Sequence, residues 1–182
     1  MFVFGHAGIG TAIASPRVPR DGRTLRFLFL GTLLPDLVDK PLYYALSFAT
    51  GRTSADLGLI SSTRTFGHTL LFCLLLYLFL PRRDGVPLAA GMITHLFLDE
   101  MGDVFTLFFP QPGPPRPGPD TVAAILFPFL GLHFPILPFS SATEHVRALV
   151  DPYTLGGEAL GAVLLYVNRA RLRAAIRGTA SG

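Results

Sequence analysis

A chain of 182 residues is long enough for one domain with a sizeable core. Half of the residues are hydrophobic and only 15% are charged, against roughly 25% in an ordinary globular domain, and the mean hydropathy is +0.49. The net charge of +3 does not point to nucleic acid, because the arginines sit in short clusters between apolar runs and no aromatic-plus-basic module accompanies them. The single cysteine, Cys73, excludes an intramolecular disulfide and a cysteine-rich metal site. The N-terminus lacks a basic segment before Phe2–Ile13 and does not read as a cleaved signal peptide.

Six apolar stretches follow in order: Met1–Ser15, Phe27–Thr50, Thr65–Leu80, Val86–Pro110, Thr121–Phe139 and Thr154–Asn168. A membrane-crossing helix needs about 20 largely apolar residues, and the second and fourth stretches reach that length. The sequence therefore predicts an all-α, polytopic transmembrane bundle of five to six segments, a single integral-membrane domain over residues 1–182. Its site-bearing part is 1–110, followed by a Pro-rich loop over 111–120 and, at the end, a basic tail over 169–182. Pro128, Pro135 and Pro138 interrupt the fifth stretch and predict a broken or re-entrant segment. Gly157 and Gly161 form a small-xxx-small pair that predicts close helix packing.

The arginine clusters at 17–26, at Arg82 and Arg83, and at 169–177 predict cytoplasmic loops by the positive-inside rule. That topology places the polar groups of the first four stretches at one depth on the outer side of a prokaryotic plasma (inner) membrane. Asp21, Asp56, Asp84 and Asp151 read as turn residues, and His145 and Glu144 as loop residues.

The polar residues within the apolar stretches carry the chemical signal. His6 lies in Gly5-His6-Ala7-Gly8. In Pro35-Asp36-Leu37-Val38-Asp39-Lys40-Pro41, the two aspartates are three apart and can share a helical face, with a helix broken or restarted around the prolines. Arg64 and His68 are four apart, a helical spacing that puts them on one face. His95 and Asp99 are also four apart, the spacing by which one helix presents two ligands to one ion. Each could instead be a packed polar residue or an interfacial one. Together they offer imidazole and carboxylate donors, which suit Zn2+, with Mn2+ or Fe2+ as alternatives. The expected metal ligands are His6, Asp36, Asp39, His68, His95 and Asp99. Asp103 shares the face of Asp99 and is expected to support it, and His133 is placed to cover the site.

The segments FGHAGIG, LLPDLVDKPL, TRTFGHTLLF and HLFLDEM, spread over residues 1–110, resemble the motifs of the YdjM-like membrane-bound metal-dependent hydrolases, a LexA-regulated, DUF457-type family. The resemblance implies a polytopic helical protein, a divalent metal, and functional positions at His6, Asp36, Asp39, Arg64, His68, His95 and Asp99. The third motif departs from the family: it lacks a histidine before Arg64, and Thr69 stands after His68.

The function expected from these residues is hydrolysis of a phosphoester or ester of a lipid or lipid-linked substrate by metal-activated water. Asp36 or Asp99 would act as general base and Arg64 as an anion clamp. Membrane lipid is the expected partner, with no nucleic acid. The alternatives are a divalent-cation transporter or channel, and a structural membrane protein with buried polar pairs.

Overall fold

The computed structural model describes residues 3–17, 21–109, 124–132, 134, 143, 150 and 152–177. The first helix, α1, is α-helical over Val3–Gly5, widens to a π-helical turn over His6–Gly10, and returns to α over Thr11–Ala14. Single π turns inside α-helices are rare and occur often at functional sites. This one holds His6, in a glycine-rich segment whose small residues allow close approach of a neighbouring helix.

Helix α2 spans Gly22–Gly31. Asp21 caps it, accepting from the backbone N–H groups of Arg23 and Thr24 at 3.1 Å each. Arg23 and Arg26 thus belong to a helix rather than to the expected 16–26 loop. Arg23 forms a two-pronged pair with Asp84, at 2.6 Å for both bonds, so Asp84 is buried in the first turn of a helix and is not a turn residue.

The apolar stretch Phe27–Thr50 breaks at Thr32–Leu33, just ahead of Pro35, beside the prolines where the sequence predicts a break. Helix α3 restarts over Leu34–Thr50 with Pro35 in its first turn, where the missing N–H would have had no partner anyway. It ends at Gly51, whose φ of 66° is the left-handed conformation that glycine adopts without cost. A loop leads through a 3-10 turn at Phe66–His68 into α4, Leu70–Phe79, capped by the Thr69 hydroxyl. The longest helix, α5, covers Arg82–Phe108. The chain then reaches α6, Pro152–Val167, and α7, Arg169–Arg177. The basic tail is therefore helical to Arg177.

Glycines set two close crossings. A Cβ at Gly31 would stand 2.2 Å from the Leu88 carbonyl oxygen, and one at Gly91 would stand 2.3 Å from that of Leu28, so α2 and α5 meet backbone to backbone. Leu28 packs with Ala14 and Leu25, and Leu88 and Met92 pack with Cys73, in two buried clusters. A Cβ at Gly8 would lie 2.1 Å from the Gly161 carbonyl oxygen, which brings α1 onto α6 and realises the packing role predicted for Gly161. Gly91→Ala is expected to force α2 and α5 apart and lower stability by about 1–3 kcal/mol, the usual cost of overpacking, measurable by denaturant unfolding.

No helix among the described residues is long and apolar enough to cross a membrane, which overturns the expected polytopic transmembrane bundle. The reason is visible element by element. At 1.5 Å per residue, the 10-residue α2 and α4 extend only about 15 Å. Helices α3 and α6 have 17 and 16 residues. Helix α5 has 27, but His95, Asp99 and Glu100 interrupt its apolar middle. The expected localisation as an integral protein of a plasma membrane, with its site on the outer side, falls with the spans, as does the topology read from the arginine clusters. What stands is a helical bundle with its polar groups gathered inside. Of the fifth stretch, 124–132 and 134 are described. Pro135, Pro138, His133, His145, Glu144, Asp151 and the loop 110–120 lie outside the described residues.

Candidate metal centre

Four elements converge on one buried cluster. Helix α1 contributes His6, α3 contributes Asp36 and Asp39, the 64–68 loop contributes Arg64 and His68, and α5 contributes His95 and Asp99. His6, Asp39 and His95 are 0% exposed. All seven sequence-predicted residues come together here, but in different roles.

Four donor atoms face one another. His68 Nε2 lies 3.2 Å from His95 Nε2, 3.5 Å from Asp99 Oδ2 and 3.6 Å from Asp36 Oδ1. His95 Nε2 lies 3.7 Å from Asp99 Oδ2 and 3.9 Å from Asp36 Oδ1. Metal–ligand bonds of 2.0–2.2 Å in a tetrahedron require donor separations of roughly 3.3–3.6 Å, and these five separations bracket that range. His6 approaches from the side: its ring stacks on His95 at 3.8 Å, and its Nε2 is 3.2 Å from Asp99 Oδ1. Two triads, His6–Asp36–His95 and His68–His95–Asp99, each have donor atoms within 4.8 Å of one another. These buried His/Asp groups can hold a metal ion.

The rings of His95 and His68 are held with Nε2 toward the cluster. His95 Nδ1 donates to the Thr32 carbonyl at 2.7 Å, which turns Nε2 toward the cluster. That carbonyl is left without an intrahelical partner by the end of α2. His68 Nδ1 donates to Asp39 Oδ2 at 2.7 Å. Such outer partners fix ring orientation and raise ligand basicity.

Asp39 does more than orient one ring. Its carboxylate accepts from the backbone N–H groups of Thr65 at 2.6 Å, Gly67 at 2.9 Å and His68 at 3.2 Å. It therefore fastens the loop that carries His68 and stands behind the donor set, rather than among the metal ligands expected from the sequence. A Cβ at Gly67 would fall 2.8 Å from the Pro35 carbonyl oxygen and 3.1 Å from Asp39, so only glycine lets the loop sit this close.

Arg64 does not share a helical face with His68, because it lies in the loop ahead of the 3-10 turn. Its Nε lies 3.2 Å from Asp99 Oδ2 and its Nη1 donates to Asp103 at 2.8 Å. Asp103 thus has the supporting place expected for it. Lys40 pairs with Asp36 through Oδ2, one helical turn away. A small cleft lined by Arg64, His68, Leu96, Asp99, Glu100, Ala124 and Ile125 opens onto the cluster.

The charge states follow from these contacts. Burial disfavours the Asp36 carboxylate, but Lys40 and the two facing imidazoles outweigh it and hold its pKa well below the usual value. Asp99 is likewise penalised by burial and held low, chiefly by Arg64. Burial, with His6 alongside, drives His95 down to about 3, so it is neutral. His68 is also penalised by burial, yet Asp36, Asp39 and Asp99 raise it from 6.5 to about 10. In the metal-free protein His68 is an imidazolium whose Nε2–H points at the His95 lone pair. Because its folded pKa is raised, its contribution to metal-free stability is fully present below pH 6.5 and is lost as pH rises through about 10. A cation must displace this proton. Metal affinity is therefore expected to rise about tenfold per pH unit between pH 7 and 9, measurable by competition titration at several pH values.

The sequence did not reveal Thr32, whose role belongs to a backbone carbonyl, or the pairing of Lys40 with Asp36. Comparison with protein-family models, curated proteins and solved structures finds no match.

Proposed function

We propose that the chain is a metal-dependent hydrolase acting on a phosphoester or ester of a lipid or lipid-linked substrate. The observation that carries this reading is that His68 and His95 face each other at 3.2 Å and each lies 3.5–3.9 Å from Asp36 and Asp99, beside a cleft that also presents Arg64. Two neutralisable imidazoles and two carboxylates favour Zn2+, with Mn2+ or Fe2+ as alternatives. Such an ion would lower the pKa of a bound water toward about 7 and polarise a phosphoryl oxygen.

The protein's own groups then divide the remaining work. Asp36 and Asp99 stay anionic and complete the donor set, which makes them weak bases. Of the two, Asp99 lines the cleft, where it orients Arg64. Arg64, oriented by Asp99 and Asp103, meets the anionic part of a substrate entering the cleft. Leu96, Ala124 and Ile125 give that cleft an apolar wall. The resemblance to the YdjM-like hydrolases at the same seven residues points the same way.

The test is release of phosphate or headgroup from a panel of lipid phosphoesters by purified protein supplied with Zn2+ or Mn2+. Hydrolysis that is abolished by chelation and restored by added metal is expected. No metal-dependent release across the panel would contradict the reading.

A further inference from the structure

Helix α6 contributes no side chain to the cluster, yet it contacts both sides of it. The Tyr153 hydroxyl donates to the carbonyl of Leu98 at 2.7 Å, one residue before Asp99. Five residues further along α6, Glu158 reaches the start of α1. Its Oε2 accepts from the Phe4 N–H and its Oε1 from the Gly5 N–H, both at 2.9 Å, one residue before His6. Gly161, about one turn on, sets the distance: a Cβ there would lie 2.0 Å from the Phe4 carbonyl oxygen. His6 and Asp99 themselves meet at 3.2 Å.

The first N–H groups of any helix lack intrahelical acceptors, and a carboxylate at that end also complements the helix dipole. Here that carboxylate comes from a residue more than 150 positions away in the chain. It locks the axial position of α1 at the residue preceding the π turn, where a small slide would carry His6 off His95. We propose that Glu158 is a positioning residue for the metal centre, clamping the N-terminus of α1 so that His6 stays over His95 and against Asp99. This rests on the reading of the cluster as a metal centre and concerns binding, not the identity of the substrate.

The probe is Co2+, read by its visible absorption and by its affinity in wild type, Glu158→Ala, Glu158→Gln, His6→Ala and the double variant His6→Ala/Glu158→Ala. Loss of an orienting partner weakens metal binding by about 10–100-fold, and that loss is expected for Glu158→Ala together with a changed Co2+ spectrum. Glu158→Gln keeps an acceptor oxygen and is expected to fall between. Because Glu158 acts through His6, its effect should vanish in the His6→Ala background. Asp84→Asn, which breaks the Arg23 pair elsewhere in the bundle, should lower stability without changing the spectrum. A Glu158→Ala protein with wild-type affinity and spectrum, or a Glu158 effect that persists in full without His6, would overturn the proposal while leaving the metal centre intact. If Glu158→Ala does not fold, Glu158→Gln gives the same readings. Wild-type protein that binds no Co2+ would overturn both.

Discussion

Asp39→Ala is expected to cost about 3–5 kcal/mol of stability, the range for removing one partner of a buried charge network. The carboxylate is fully buried and accepts four bonds, from the N–H groups of Thr65, Gly67 and His68 and from His68 Nδ1. Its loss leaves all four donors facing a cavity, and each unpaired buried donor carries a desolvation penalty of about 1–3 kcal/mol. The loop can relax toward water and recover part of this, which keeps the total below the sum. The same change frees the His68 ring, so metal affinity should also fall by about 10–100-fold. Denaturant unfolding of metal-free protein and metal titration measure the two effects separately. A change in stability below about 0.5 kcal/mol, the range of a neutral surface substitution, would mean that the loop is held by something else.

The second large effect is expected at Asp99. Its Oδ2 belongs to the donor set and faces Arg64, and its Oδ1 faces His6. Asp99→Asn keeps the shape but removes the charge that both Arg64 and a cation require. Metal-dependent turnover is expected to fall by at least about 100-fold, since a ligand and the placement of Arg64 are lost together. Stability should change much less, because Arg64 retains Asp103 at 2.8 Å. Turnover assayed at saturating metal separates weakened binding from lost chemistry. Undiminished turnover under those conditions would remove Asp99 from both roles.

The residues of the centre were legible in the sequence because polar groups inside apolar runs are costly and need partners. His95 and Asp99 were the clearest, since a four-residue spacing on one helix needs no knowledge of the fold. Asp36 and Asp39 looked equivalent for the same reason. Their roles separated only when the 65–68 loop was seen to close over Asp39 and leave Asp36 facing the donors. Arg64 reached the site by a loop, which helical spacing misrepresented. Thr32 was invisible because it acts through its carbonyl. The Arg23–Asp84 pair joins residues 61 positions apart, a distance no local pattern reports. The fold was misread at the level of length. Apolar composition suggested spans, but the break at Thr32–Leu33 and the short α4 divide the apolar runs into pieces, and His95 and Asp99 of the buried cluster interrupt the apolar middle of α5.

Elemental analysis of the purified protein decides whether the buried histidines and aspartates bind a metal. Wild type after exposure to Zn2+ and removal of excess is predicted to retain at least one ion per chain, while His95→Ala, which removes the residue shared by both donor triads, is predicted to retain none. Wild-type protein without stoichiometric metal, or a His95→Ala protein that holds as much as wild type, would mean that this cluster is not a metal centre.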